Sequence, residues 1–376
     1  VISYRRIFVA APKLPPYLET NSAHNFFQQS LLHWYADSDR PLPWKGEKDP
    51  YRIWLSEIIL QQTRVEQGMP YYFRFLETFP TIVDLANAPD DQVMKLWEGL
   101  GYYSRARNLL ATARRVANDH KGVFPSEYGE ILALPGIGPY TAAAIGSFAF
   151  GLPRAVVDGN VYRVLARYFG IATPQDSTEG KKQFQQLAES LLDQNQPGLY
   201  NQAIMDFGAT FCVPRSPNCS DCPLRERCVA YAQAQVQELP VKTKKIQKKD
   251  RYFHYFLLYH QDQVFIRKRT ERDIWQDLYE FPMIESPDLP IDLAIPMVQN
   301  WLQGAKILQR QTSPLFKQIL THQQIIAQFW RLELATPISN PPADWLLIEH
   351  QSLKQYAFPR VIDRYLAQKN TSLTLF

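Results

Sequence analysis

The four cysteines of this 376-residue chain, Cys212, Cys219, Cys222 and Cys228, all fall in one short stretch. A fold stapled by disulfides spreads its cysteines along the chain, so this is not a disulfide framework. Four thiols this crowded point to one local site that converges on an electron-poor partner. Their spacing is C-x6-C-x2-C-x5-C. Tetrahedral zinc usually joins two short C-x2–4-C knuckles, and only one short interval occurs here. The wide outer gaps suit a larger object such as an iron–sulfur cubane, with zinc the other option. The chain must fold a loop around such a centre.

At about 150 residues per domain, the length predicts two or three domains. Hydrophobic residues make up 45% and charged residues 21%, which excludes a disordered or fibrous chain. No apolar run is long enough for a membrane helix. Val1 to Ser22 is basic and proline-containing but lacks the apolar core of a secretory signal, so secretion is not expected. The net charge of +4 is unevenly placed: Val1–Ala232 holds 23 basic and 23 acidic residues, Tyr252–Phe376 holds 12 and 12, and Gln233–Arg251 holds six and two. Total charge is therefore no argument that either folded part binds nucleic acid.

Apolar residues recur at helical spacing in Phe26–Tyr35, Ile53–Val65, Val93–Trp97, Leu109–Val116 and Tyr140–Phe148. Turn signals such as Phe79-Pro80, Gly122–Pro125 and Gly151–Pro153 separate them. Gln233–Arg251, lysine-rich and poor in apolar residues, reads as a linker. Beyond it, Tyr252–Tyr259 and Val264–Arg269 flank a polar turn and predict a β-hairpin. Leu278–Ile284, Leu315–Leu320 and Ile325–Leu334 read as strands, and Ile291–Leu302 and Pro359–Gln368 as helices. The expected fold is a mainly α N-terminal module joined to an α+β C-terminal domain.

Three features carry candidate chemistry. Leu134-Pro135-Gly136-Ile137-Gly138-Pro139-Tyr140-Thr141 joins two helical stretches. Gly136 and Gly138 permit a tight turn and close approach of a ligand, and the next helix offers free N–H groups suited to a phosphate. An ordinary helix–helix turn would have the same residues. Asp158, in Val156-Val157-Asp158-Gly159-Asn160-Val161, is placed to cap a helix, a position that aims a carboxylate outward. Glu57 sits mid-helix among Ile53, Trp54, Leu55, Ile58, Ile59 and Leu60. Facing an apolar wall, its carboxyl would hold its proton near neutrality; facing out, it would pair with Arg64.

These elements occur in order with Trp54-Leu55-Ser56-Glu57-Ile58-Ile59-Leu60-Gln61-Gln62-Thr63 and Gly99-Leu100-Gly101-Tyr102-Tyr103-Ser104-Arg105. Together they closely resemble the adenine DNA glycosylases of the MutY type, in the helix-hairpin-helix iron–sulfur glycosylase superfamily. The resemblance runs from about Ala23 to the C-terminus. It implies excision of adenine mispaired with 8-oxoguanine, also opposite guanine, and a 4Fe-4S cluster on the four cysteines. Residues 1–22 would form an extension, 23–49 and 151–232 the cluster lobe, 50–150 a six-helix lobe with the hairpin, 233–251 the basic linker, and 252–376 a Nudix-like lesion reader. The resemblance further implies a monomer in a bacterial cytoplasm, bound to duplex DNA and associated with the nucleoid, with the linker as a docking point for a protein partner.

The family's catalytic carboxylates fall on Glu57 and Asp158, with Tyr140 and Asn160 as supporting groups. Its adenine-pocket residues fall on Arg40, Leu42, Trp44, Lys45, Leu60, Gln202 and Met205. Its probes of the base stack fall on Gln62 and Tyr102, with Thr63 beside them as a substrate contact, and the hairpin glycines Gly136 and Gly138 face the DNA backbone. Glycosidic cleavage leaves positive charge on the sugar and negative charge on the base, so it calls for a neutral acid and an anion. Endonuclease III-like relatives carry a Schiff-base lysine just after the hairpin; here that position is Tyr140, which implies a monofunctional enzyme. The C-terminal half lacks the R-E-x-x-E-E run of Nudix hydrolases, so it is expected to bind rather than hydrolyse. Its lesion-reading loop falls on Leu320-Thr321-His322, where Leu320 replaces an aromatic residue.

Overall fold

The computed structural model describes residues 21–38, 40–243, 248–288 and 296–372. Its helical first half and mixed-sheet second half have the expected fold class. Described residues of the spans 1–62, 81–83 and 112–244 form one compact unit, and those of 63–80, 84–111 and 245–376 form another. This division cuts across the 50–150 segment. Residues 84–111 group with the C-terminal half because Lys268 Nζ meets Asp91 at 2.6 Å, Phe358 N donates to Glu98 at 2.9 Å, and Arg107 Nη1 donates to the Gln276 carbonyl at 2.8 Å.

The first unit is built on α1 (Asn21–Ala36), α2 (Pro50–Leu60), α7 (Tyr128–Leu132), α8 (Pro139–Phe150), α9 (Gly159–Phe169), α10 (Thr178–Leu191), α11 (Pro197–Thr210) and the short α12 (Val229–Ala232). Phe27, Leu31, Tyr168, Phe169, Phe184 and Phe207 pack its core. α8 begins with proline, whose missing N–H costs nothing at a helix start. Its Thr-Ala-Ala-Ala-Ile-Gly-Ser run keeps its surface low, so neighbouring helices come close. α9 runs from its Asp158 cap to Gly170, which takes the left-handed conformation that ends a helix.

The periodic stretch Ile53–Val65 is not one helix. α2 ends at Leu60, Gln62 takes a positive φ, and α3 (Val65–Thr78) starts afresh. Apolar spacing continues across the break, which is why periodicity alone misses it. Much of the segment read as a linker is likewise attached. Leu239 is buried, its carbonyl accepts from Arg167 Nε at 3.1 Å, Gln175 N donates to the Val241 carbonyl at 3.1 Å, and Asp176 accepts from Thr243. Residues 244–247 lie outside the described set.

The second unit carries α3, α5 (Asp90–Trp97), the first part of α6 (Ser104–Asp119) and one mixed sheet. β1 (Lys249–His260) and β2 (Gln263–Lys268) form the expected hairpin. β1 also runs parallel to β7 (Gln323–Leu334), with Lys249 opposite Gln323 and Tyr259 opposite Glu333. Phe281-Pro282 splits the strand expected over Leu278–Ile284 into β3 (Tyr279–Glu280), which pairs β2, and β4 (Met283–Ser286), which pairs β1. Proline cannot continue the ladder, having no N–H to donate. β6 (Phe316–Ile319) is where expected; β5 (Ile307–Thr312) and β8 (Trp345–Glu349) were not foreseen, because their residues are largely exposed and lack the apolar alternation of a half-buried strand. α13 (Pro296–Leu302) is the described part of the predicted helix, and residues 291–295 lie outside the described set. α14 (Arg360–Ser372) lays Tyr365 flat on Phe329 at 4.0 Å between ring centroids.

α11 approaches the start of α9 at Gly208. A Cβ there would lie 2.7 Å from Asn160 Cβ and 2.9 Å from its carbonyl oxygen, closer than real contacts allow. Gly208→Ala should therefore lower the free energy of unfolding by about 2 kcal/mol, the usual scale of overpacking. Urea titration measures it; unchanged stability would show that the two helices do not meet this closely.

Candidate active site

Asp49 opens α2 by accepting a hydrogen bond from Tyr51 N at 2.9 Å, and Pro50 occupies the first turn. The helix that follows is buried almost all round, and Glu57 is 8% exposed. Its Oε2 accepts a hydrogen bond from the Tyr140 hydroxyl at 2.7 Å. Burial pushes the Glu57 carboxyl up from 4.5 to about 7; the Tyr140 bond pulls it down, and the charge of Asp158 pushes it up again. Tyr140 is itself held well above its ordinary range by burial and by both carboxylates, so it remains a proton donor. The apolar-wall alternative for Glu57 is the one the fold adopts.

Asp158 caps α9. Its Oδ1 accepts from Asn160 N at 2.9 Å and Val161 N at 2.8 Å, and its Oδ2 accepts from Asn160 Nδ2 at 2.8 Å. Burial raises its carboxyl above the ordinary value, while these three donors and the Arg163 charge pull it back toward the ionised form. The two carboxyls thus sit in opposed settings, one apolar with a single donor, the other ringed by donors. Arg163 was not singled out in the sequence, although it lies one turn beyond Asn160. Its guanidinium donates to Asn160 Oδ1 at 2.8 Å, to the Cys212 carbonyl at 2.7 Å and to the Gly208 carbonyl. It ties the Asp158 cap to the start of the cysteine loop.

Beside Glu57 lies a cavity of about 370 Å³ whose walls include Tyr35, Trp44, Lys45, Ile53 and Gln202. Trp44, Lys45, Glu57 and Gln202 are brought together there. Arg40, Leu42, Leu60 and Met205 are not among its walls. Arg40 instead pairs with Asp206, a fully buried carboxylate on α11, and Lys45 Nζ lies 4.0 Å from the same carboxylate and over the Tyr35 ring. Met205 packs half-buried against the core and Leu60 ends α2. Sequence reading missed Asp206 and Ser56, which also lines the cavity, although a lone carboxylate in the run Ala203-Ile204-Met205-Asp206-Phe207 was a visible signal.

At the hairpin, Gly136 has φ +71° and Ile137 is buried as the anchor. Thr112 and Arg115 hold the Pro135 and Ala133 carbonyls at 2.7 and 2.9 Å. Gly138 caps α8, and a side chain there would meet nothing within 4 Å. None of the four cysteines is in a disulfide, each has intermediate exposure, and Cys212, Cys222 and Cys228 pack against one core cluster. Arg167 Nη1 donates to Cys212 Sγ at 3.3 Å. Among the described residues no three His, Cys, Asp or Glu side chains converge tightly enough for a single metal ion.

In the second unit, Tyr102, Leu320, Thr321 and His322 line a separate cavity of about 780 Å³. The Tyr102 hydroxyl and Thr321 Oγ1 are 2.6 Å apart. Leu320-Thr321-His322 forms the turn from β6 to β7, closed by Leu320 N donating to the Gln323 carbonyl at 2.8 Å. His322 is exposed. Thr63 Oγ1 accepts from Arg105 Nη2 at 3.4 Å, and Gln62 is exposed in the first unit.

A buried acid, a capped carboxylate and a glycine hairpin thus lie on one helical scaffold. Residues 55–192 match the HhH-GPD superfamily base excision DNA repair protein, and residues 254–368 match a NUDIX domain. The adenine DNA glycosylase of Buchnera aphidicola subsp. Baizongia pistaciae is 38% identical over 302 residues, covering 79% of this chain and 83% of that protein. That of Buchnera aphidicola subsp. Acyrthosiphon pisum is 36% identical over 263 residues, covering 70% and 75%. A solved thermostable thymine-DNA glycosylase superposes with a TM-score of 0.53 at 33% identity, over 57% of this chain and 98% of its own. The chain belongs to the adenine DNA glycosylase family, DNA N-glycosylases of base excision repair. No helix among the described residues is long and apolar enough to cross a membrane.

Because the folded-state pKa of Glu57 lies above its ordinary value, burying this carboxyl disfavours folding increasingly as pH rises from 4.5 through about 7. Glu57→Gln should accordingly raise the unfolding free energy by about 3 kcal/mol near pH 8 and hardly at all near pH 4. Denaturant titrations at the two pH values check this, and equal stabilisation at both would contradict the assigned burial.

Proposed function

We propose that this enzyme excises adenine paired with 8-oxoguanine, and adenine opposite guanine, with Glu57 as the acid and Asp158 as the anion. The observation that carries the reading is the opposition of the two carboxyls: Glu57 buried with a pKa raised to about 7, Asp158 ringed by three donors. Such pairs divide acid and anionic roles. Adenine must leave the duplex to be cleaved. The cavity beside Glu57, with Trp44, Lys45 and Gln202, offers an aromatic wall and a few polar groups for it. Since Tyr140 donates to Oε2, the Glu57 proton sits on Oε1 and passes to adenine N7. The C1′–N9 bond then breaks, its electron pair leaves with the base, and Asp158 stabilises the positive sugar until water adds at C1′ and loses a proton. Asn160 fixes the Asp158 carboxylate, and Arg40 with Asp206 braces the pocket from α11.

Tyr140, half-buried and already donating to Glu57, provides no amine for a Schiff base, which supports a monofunctional enzyme. Gly136 and Gly138 would receive a DNA phosphate, and Gln62, Thr63 and Tyr102 would test the base stack. Thr321 and His322 would read the oxidised guanine. The four cysteines would hold a 4Fe-4S cluster, which when bound knits residues 212–228 into a fixed loop. The donor set, four thiols within one short stretch with Cys212, Cys222 and Cys228 packed on one core cluster, has the chemistry such a group takes. Duplex DNA in a bacterial cytoplasm would be the setting, with a protein partner on the segment 233–251, where Lys242, Lys248 and Lys249 are exposed. The proposed lobes, 23–49 with 151–232 and 50–150, share the site.

Single-turnover release of adenine should be fast opposite 8-oxoguanine, slower opposite guanine and weakest opposite cytosine. Glu57→Gln should abolish release while leaving duplex binding measurable. No release from the first duplex, or wild-type rates in the variant, would sink the assignment. Purified protein should show a broad visible charge-transfer absorbance and about four irons per chain; a colourless protein carrying one zinc would overturn the cluster.

A further inference from the structure

We propose that Arg105 is a positioning residue for lesion selectivity: its guanidinium holds Tyr102 in a left-handed turn so that the Tyr102 hydroxyl meets Thr321. The stack probe and the reading loop then act as one element. The inference rests on reading Leu320-Thr321-His322 as the loop that faces the oxidised base.

The turn between α5 and α6, beside the second cavity, carries three residues at positive φ. Gly99 and Gly101 have φ +93° and +73°, and Tyr102, which is not glycine, has φ +48°. A side chain at that φ persists only where its surroundings over-determine it. Those surroundings are specific. Arg105 is 8% exposed, and its Nη2 donates to the Gly101 carbonyl at 3.1 Å and the Leu100 carbonyl at 3.4 Å. Its guanidinium also lies 5.0 Å from the Trp97 ring centroid and 5.7 Å from that of Tyr102. Trp97 Nε1 donates to the same Gly101 carbonyl at 3.1 Å, and Arg105 N closes the turn on the Tyr102 carbonyl at 2.9 Å. Tyr71 crowds Gly99, where a Cβ would lie 2.7 Å from its hydroxyl.

All this order is applied to a residue that is 47% exposed and whose hydroxyl meets Thr321 Oγ1 at 2.6 Å, 219 residues away. A ring held only for packing would be covered. The geometry gives the strain a purpose: it aims one hydroxyl at the reading loop. Thr321 Oγ1 has one proton to donate and two lone pairs. Whichever hydroxyl donates, the Tyr102 bond occupies one of these positions and fixes the direction of those left for a base edge, so the stack probe orients the reading loop.

The experiment uses the full chain with enzyme in excess and measures single-turnover adenine release opposite 8-oxoguanine and opposite guanine. The ratio of the two rates cancels the active fraction, so a merely structural defect leaves it unchanged. Tyr102→Phe removes only the hydroxyl and should lower the ratio about tenfold, the scale of one hydrogen bond. Arg105→Gln should lower it similarly, and Arg105→Lys, which lacks the planar fork, should not restore it. The Tyr102→Phe and Arg105→Gln double variant should fall no further than the worse single variant. A wild-type ratio in Tyr102→Phe, or losses that multiply in the double variant, would overturn the coupling. Should the Arg105 variants not fold, the Tyr102→Phe ratio alone decides. A wild-type enzyme that treats both duplexes equally would instead refute the lesion-reading function beneath it.

Discussion

The hydrogen bond from Tyr140 to Glu57 joins two helices that the rest of the first unit exists to hold together. A carboxyl sealed in an apolar helix keeps its proton only if water stays away and if at most one donor competes for it. α2 supplies the apolar walls through Ile53, Trp54, Ile58 and Ile59. α8 supplies the single donor at the second residue after Gly138, so the turn that offers its backbone outward also fixes the tyrosine that faces inward. Position at the hairpin and proton placement at the acid are therefore one constraint.

Asp158 solves the opposite problem by the opposite means. A helix cap gathers backbone and side-chain donors about a carboxylate, and Arg163 carries the arrangement on to Gly208 and Cys212. The cysteine loop, distant in sequence, is thereby mechanically tied to the cap. In the second unit the same economy recurs, with a strained turn, a buried guanidinium and a hairpin loop converging on one hydroxyl pair.

Local features were legible in the sequence, and distant ones were not. The cysteine spacing, the Leu134–Thr141 hairpin and the Asp158 cap depend on neighbours a few residues apart, so they could be read directly. Glu57 could not be oriented, because the helix is apolar on nearly every side and only packing selects the face. Asp206 stayed hidden because Arg40 lies 166 residues away, and the bond between Tyr102 and Thr321 for the same reason. β5 and β8 were missed because their exposed residues carry no apolar alternation, and the break at Gln62 because apolar spacing continues past it. Composition could not show that part of the lysine-rich segment is attached: one buried leucine and a few hydrogen bonds hold residues 239–243.

The central claim is that Glu57 is a neutral acid poised near physiological pH. Protein labelled with ¹³C at glutamate side chains isolates its titration by NMR and leaves out Asp363, which burial also raises to about 7. The account predicts one glutamate carboxyl titrating at about 7 that is absent from Glu57→Gln. A Glu57 resonance that titrates in the ordinary range, near 4.5, would contradict it.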